Sequence, residues 1–585
     1  MPTNMKLSSN PELWLTIIIF CSYAIGTLTV QHYLPSQVDF IPNITVIGFL
    51  AIGMAALLSF IKIAKIGLDS IFWLLLFILV LIQPFFVTYD YLDNVIFPLA
   101  SLGACFVLSV IINNVSDKEA MAQYAAYGFI GVGALSLIIQ MLQYIGLSYL
   151  PFVMPIRPDD IRFYGNVAQP NQLAFIYALA LGACHFIYSV ENFKHRFLCV
   201  LLLVMFSAGI ALSSSRGGLI LALTSLLFYA INAKNWISYA KKTCIALIAM
   251  TLGYVLGLYF LDIYTQPTAA NAVSRMTEGS LYLRAELIQQ AWVQFQHHPV
   301  IGVGLGNLLA DSIHHVDELD WFVFSIHSHN LLAQVAAELG VLGLSLLLIP
   351  LYIILKSVWQ SQDSYTSLVF ISLLIVGLYS FSEYPLWFTR FLIIAVFLLA
   401  LINTKTFELN LRLNSFFGIF CALLAAGCIY YYYQYQSYSR TNNYLINYDY
   451  SILDELTNEE RREFADIQVT MVDNLTPVFG FSDYKELYIY YLLPEDNNQL
   501  DDRIELGRRV LTKFLTSTIL LKQALYLGLN NQSAESLQLF RSACVLNHHE
   551  RCVETTEYLN ELADQHYQFE SIRKDYNEWK ESEQL

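Results

Sequence analysis

The sharpest chemical signal in this sequence is "HSHNLLAQVAAELG", where His327, His329 and Asn330 stand at the point at which a polar loop of about sixty residues runs into an apolar helix. A histidine at such a junction can exchange protons near neutral pH at a membrane surface. The same loop carries Arg275 and Arg284, and the glycine turn "GVGLGN" (302–307) lies between these arginines and the histidines. A guanidinium stays protonated and offers a planar fork of donors. Histidine, arginine and a glycine turn together describe a site for an anionic, lipid-linked substrate.

Three further polar clusters interrupt apolar stretches. In "RFYGNVAQPNQLA", the amides Asn166, Gln169, Asn171 and Gln172 surround Pro170. Proline and glycine alone would indicate a turn before a helix, but four amides in seven residues suggest groups that face a substrate. In "SSSRGG", Arg216 sits between two abutting apolar spans, where it either snorkels to the interface or meets an anion such as a diphosphate. In "FSEYPLWFTR", Glu383 and Tyr384 precede Pro385 in a turn. Glu383 is there either solvated or paired with Arg390. In the long loop, "LYLRAELIQQAWVQFQHHP" reads as an amphipathic helix, with Arg284 near its start among Leu283, Leu287 and Trp292. Arg275 could equally be a surface charge. His297, His298, His314 and His315 read as solvated loop residues, because no cysteine or carboxylate stands at a recognisable metal-ligand spacing. No metal and no cofactor are expected.

The elements that must position these residues are membrane helices. Apolar residues make up 56% of the 585 and charged ones 14%, and windows of about twenty apolar residues recur about thirteen times before residue 434. An odd number of spans puts the termini on opposite sides. Lysines and arginines of the loops separate twelve against six, and the sparse set, Arg157, Arg162, Arg216, Arg275, Arg284 and Arg390, contains no lysine. Positive residues favour the cytoplasm, so the N-terminus is expected inside, with the long loop (about 264–328) and the C-terminal tail outside. The first apolar stretch lacks the charged start and small-residue cleavage site of a removable leader.

The predicted domains are a membrane domain, 1–433, and a water-soluble helical domain, 434–585. The tail holds twenty-six acidic and fourteen basic side chains, so it carries twelve of the chain's fifteen net negative charges. That acidity excludes nucleic acid as a partner. Apolar residues at three- and four-residue intervals suggest paired short helices of a tetratricopeptide-like kind, and such helices present extended surfaces suited to protein partners. Seven of the nine cysteines lie in or beside apolar spans. Cys544 and Cys552 are the exceptions, and a hairpin bent around "VLNHHE" could join them in an oxidising compartment.

The set "GNVAQPNQLA", "SSSRGG", "GVGLGN", "HSHN" with "AAELG", and "EYPL" resembles the bacterial O-linked oligosaccharyltransferases of the PglL type, within the group that includes O-antigen ligases and polymerases. The resemblance covers about 160–400, and the helical tail resembles the periplasmic tail of that family. It implies an inner-membrane enzyme that passes a glycan from undecaprenyl diphosphate to a serine or threonine of a periplasmic protein, a pilin-like one among the candidates. It also implies that Arg216 and Arg284 neutralise the leaving diphosphate and that His329 takes the hydroxyl proton. Gln169, Asn171, Asn166, Arg275, Asn330, Glu383 and Tyr384 are the expected substrate contacts. The family commonly carries a histidine four residues before the glutamate, where this chain has Tyr379. An O-antigen ligase, an O-antigen polymerase and, from another class, a transporter or scaffold are the alternatives. Against a transporter, the polar clusters gather on one face rather than in two matching halves at mid-membrane.

Overall fold

Runs of leucine, isoleucine, valine, phenylalanine and alanine without charge leave the backbone no partner in lipid but itself, and each such run folds as a helix. The computed structural model describes residues 10–582 apart from 33–38, 157–161, 191–192, 233–235, 266–279, 320–324, 361–362, 410–412, 446–456 and 547–551. Its helices are α1 (Pro11–Leu28), α2 (Phe40–Leu57), α3 (Leu68–Ile82), α4 (Ile96–Asn113), α5 (Lys118–Tyr144), α6 (Pro170–Val190), α7 (Phe193–Leu212), α8 (Arg216–Ser225), α9 (Leu227–Ile231), α10 (Trp236–Thr265), α11 (Ser280–His297), α12 (Leu308–Ser312), α13 (Leu331–Leu346), α14 (Leu348–Gln360), α15 (Ser364–Ser380), α16 (Thr389–Ile402) and α17 (Asn414–Leu445). Seven shorter ones follow: α18 (Asn458–Asp473), α19 (Ser482–Leu492), α20 (Leu500–Leu511), α21 (Ser517–Leu529), α22 (Ser533–Val545), α23 (Cys552–Gln565) and α24 (Phe569–Ser582).

Among the described residues, nine helices are long and apolar enough to cross a bilayer. The pair α13 and α14 is a tenth candidate, bent by 43°, and 216–231, 364–380 and 389–402 are shorter apolar helices. Each apolar window of the sequence coincides with one of these. Ile52, Ile138 and Ile220 are more than half exposed on their helices, as lipid-facing side chains are. The chain is a multi-pass membrane protein.

Two compact units make up the chain: 1–77 with 100–278 and 345–432, and 78–99 with 279–344 and 433–585. In the first, α6 is the central helix, with every residue from Gln172 to Ile187 buried. Loops of the same parity meet. The short strands β1 (Lys65–Gly67) and β2 (Thr406–Glu408) pair antiparallel, and Lys118 donates to the carbonyls of Ala400 and Asn403 at 2.6 and 2.9 Å. The other set meets separately: Asn166 donates to the Leu28 carbonyl at 2.8 Å, and the Phe163 amide donates to Leu212 at 3.2 Å. Lysine marks the first set, and arginine alone marks the second.

In the second unit the segment 279–344, which holds α11, α12 and most of α13, clusters with the tail; the sequence suggested a boundary at 433. Tyr91, in the segment 78–99, explains part of this grouping: its hydroxyl donates to Glu486 at 2.7 Å. Thr457 and Glu460 form a capping box that starts α18. Leu525, Phe540, Leu559, Phe569 and Tyr576 form the core of the last four helices. Cys544 and Cys552, in the same core, are joined by a disulfide.

Candidate functional site

In the first unit, the N-terminus of α6 gathers the polar clusters. Gln169 accepts from the Gln172 amide at 2.6 Å and so caps the helix that Pro170 begins. Asn166 is buried; its Oδ1 accepts from Met154 at 2.9 Å, and its Nδ2 donates to the Leu28 and Phe152 carbonyls. Both amides therefore fix the turn before α6.

Asn171 is the hub. Its Oδ1 accepts from Ser215 Oγ at 2.8 Å and from the Arg162 guanidinium at 3.2 Å, while its Nδ2 donates to Glu383 Oε1 at 2.9 Å. One side chain thus ties together three clusters that are about 50 to 220 residues apart in sequence. Ser215 also accepts from the Gly218 amide at 3.0 Å, capping α8 at the turn whose first residue is the half-buried Arg216. Arg162 anchors through Nε to the Ser213 carbonyl at 3.0 Å. Arg162 is thus anchored beside the N-terminus of α8, where Arg216 is the first residue, and a helix N-terminus with arginine beside it suits a phosphate oxygen. Sequence reasoning left Arg162 out of the site. Its signal was membership of the lysine-free set, at the first position of "RFYGN".

Glu383 is buried and held by Asn171, and Tyr384 beside it is half-buried, its ring 5.4 Å from Phe388. Arg390 is fully buried but does not pair with Glu383. Its guanidinium donates to Gln172 and Asp39, and lies 4.7 and 4.9 Å from the Phe388 and Phe391 rings. Asp39 also binds His32, itself buried. Burial works against the charged form of Asp39, but Arg390 and His32 outweigh it and hold the carboxyl below its usual range. This buried group escaped sequence reasoning, because a single aspartate between two apolar helices carries no spacing signal. Tyr379, where the family has histidine, stacks on Phe175 at 4.6 Å and is part of the apolar packing.

The second unit holds the histidines. The glycine turn 302–307 docks on a break in α13, where Gly340 adopts φ +62°. The Val303 and Gly304 amides donate to Ala337 and Glu338 carbonyls at 2.8 and 3.1 Å, and Gly306 donates to Glu338 Oε1 at 2.9 Å. Gln83 locks the arrangement by donating to Ile301 and Glu338 carbonyls and accepting from Leu305. A Cβ on Gly302 would lie 2.2 Å from the Glu338 carbonyl carbon, so only glycine fits. These amides hold α13, the helix that His329 precedes.

Asn330 accepts from the Leu332 and Ala333 amides at 3.0 and 3.1 Å and caps α13. His329 has φ +52°, a left-handed backbone that costs a non-glycine residue about 1–2 kcal/mol. Its ring lies 4.7 Å from His327, edge to face. Burial, and then the His329 ring, pull the His327 pKa down to about 3. Arg284 is half-buried on α11, on the face of Leu287 and Ala291, which are buried. Leu283 and Trp292 are exposed instead, so the apolar surroundings expected for Arg284 reduce to one face. Arg275 lies outside the described residues. The loop histidines were expected to be simply solvated, but His297, His298 and His315 gather around Asp311 and Glu318.

A family model described as O-antigen ligase matches residues 173–348, and one described as virulence factor membrane-bound polymerase, C-terminal, matches 368–551. A general O-oligosaccharyltransferase of Acinetobacter baylyi is 24% identical over 310 residues, 50% of this chain and 52% of that protein. A ComP-specific O-oligosaccharyltransferase of the same organism is 22% identical over 298 residues, 50% of this chain and 53% of that protein. The chain spans about half the length of the curated relatives it matches. By these matches and by the motifs whose geometry is described above, the chain is similar to the O-antigen ligase superfamily and, within it, to the PglL-type O-oligosaccharyltransferases.

Proposed function

We propose that this protein transfers a preassembled glycan from undecaprenyl diphosphate to a serine or threonine hydroxyl of a periplasmic or pilin-like protein. The observation that carries this reading is the network Arg162–Asn171–Ser215 at the start of α8, beside Arg216. In the reaction, the acceptor oxygen attacks the anomeric carbon, the bond to the diphosphate breaks, and the diphosphate leaves with the electron pair. Arg216, with Arg284, neutralises the charge that develops, and His329 takes the hydroxyl proton. Asn171, Glu383 and Tyr384 position the donor. A cavity of about 130 Å³ one turn along α8 from Arg216, lined mainly by Ile210, Leu219, Ala222, Leu223 and Met250 with Ser207, Thr251 and Tyr254 at its wall, has room for a few carbons of an isoprenoid chain.

On this reading the N-terminus lies in the cytoplasm of a bacterial inner membrane, with the site and tail in the periplasm. This orientation is supported by the arginine-only loop set and by the disulfide Cys544–Cys552, since disulfides persist in oxidising compartments. The test is co-expression with a lipid-linked glycan pathway and candidate pilin-like acceptors, followed by intact mass of each acceptor. A glycan-sized mass increase that depends on this chain is expected. Glycan found instead on lipid A core would make the protein an O-antigen ligase, and elongated lipid-linked glycan would make it a polymerase.

A further inference from the structure

We propose that His298, Asp311 and His315 bind a first-row transition dication, zinc being the best fit, and that the ion pins the segment after α12 to the C-terminal end of α11. His298 follows α11, Asp311 is in α12, and His315 lies four residues on, in the 3-10 turn after α12 that brings its ring back to Asp311. The ligand atoms of the three all lie within 4.8 Å of one another.

The spacing favours an ion over hydrogen bonds. His298 Nε2 lies 3.5 Å from Asp311 Oδ1, and His315 Nε2 lies 3.5 Å from Asp311 Oδ2. An N–H···O bond closes to about 2.7–3.2 Å, whereas ligands about 2.0–2.1 Å from a tetrahedral zinc stand roughly 3.4 Å apart. Asp311 Oδ2 is buried and has no hydrogen-bond partner among the described residues. A metal would supply what it lacks.

The outer contacts fit the same reading. Glu318 Oε1 lies 3.0 Å from His315 Nδ1, so that nitrogen carries the proton and Nε2 presents its lone pair toward Asp311 and His298. A carboxylate that fixes the tautomer of a metal-bound histidine is the usual outer partner of such a site. His297 binds the same Glu318 oxygen at 3.0 Å and stacks on His315 with centroids 4.1 Å apart. Two imidazoles and one carboxylate form a donor set suited to zinc and its neighbours rather than to magnesium or calcium. Three protein ligands leave room for water. His298 and His315 are partly exposed, which gives an ion a route in.

The experiment uses the full chain in detergent, purified without a histidine tag, stripped with chelator and titrated with Co²⁺ and then Zn²⁺. Expected are saturable binding of one ion, a visible Co²⁺ band that Zn²⁺ displaces, and loss of the band in His298→Ala and His315→Ala. Glu318→Gln, acting only through His315, should weaken binding by about 10- to 100-fold. His314→Ala removes an exposed neighbour outside the cluster and should change nothing. The proposal is overturned if the wild-type chain shows no saturable binding, or if binding survives in the His298→Ala, His315→Ala double variant. Loss of binding in His297→Ala with retention in His298→Ala would likewise overturn this ligand set.

Discussion

Asn171 is the side chain on which the proposed donor site turns, and its replacement gives a quantitative test. Asn171→Ala removes a bond to the buried Glu383 carboxylate, one from Arg162 and one from the Ser215 hydroxyl that caps α8. A hydrogen bond to a charged group contributes about 1.5–3 kcal/mol. Glu383 is only 5% exposed, so little water replaces the lost donor. Asn171→Ala and Glu383→Ala should therefore couple by about 1.5–3 kcal/mol, which in kcat/KM is a non-additivity of about 10- to 150-fold. The assay is a double-mutant cycle on the initial rate of glycan transfer in membranes carrying equal amounts of each variant. Thermal unfolding in detergent, run in parallel, separates positioning of Arg216 from loss of fold. If the two changes are additive within about 0.5 kcal/mol, the hub does not position the site and the reasoning fails.

His329→Ala should abolish transfer while the protein still inserts and accumulates; transfer near the wild-type rate would remove His329 from the chemistry. His327 should tolerate alanine better. Its pKa of about 3 lies below the usual histidine value, so its folded form favours the neutral ring, and the stability this gives is full above about pH 6.5 and lost as pH falls toward 3. His327→Gln should flatten acid destabilisation in that window, measured by thermal unfolding against pH, and an unchanged profile would contradict the shift. Arg216→Lys and Arg284→Lys keep the charge but lose the planar fork, so a large rate loss is expected; full activity in both would reduce their role to charge attraction. Cys544→Ser opens a loop of eight residues' separation, and denaturant unfolding of the tail should show a loss of about 2.5 kcal/mol, with no change implying no bond in solution.

The apolar windows, their alternation and the acidic helical tail were legible in the sequence. A run such as 170–190 has no partner for its backbone in lipid except itself, so local composition already determines the helix. Residues whose chemistry is local could be singled out in the same way: His329 and Asn330 at a loop-to-helix junction, Arg216 between two abutting spans. What tertiary structure alone decided is which groups meet. Asn171 joins Arg162, Ser215 and Glu383 because α6, α8 and the turn before α16 converge, and no periodicity links positions so far apart. The same holds for Arg390, which finds Asp39 and Gln172 rather than Glu383, since a buried guanidinium takes whichever acceptors the packing brings to it. His298 and Asp311 come within reach only because the chain folds back after the glycine turn. Sequence distance encodes the helices, but side-chain partnerships across helices depend on packing between distant segments, and that is a property of the whole fold.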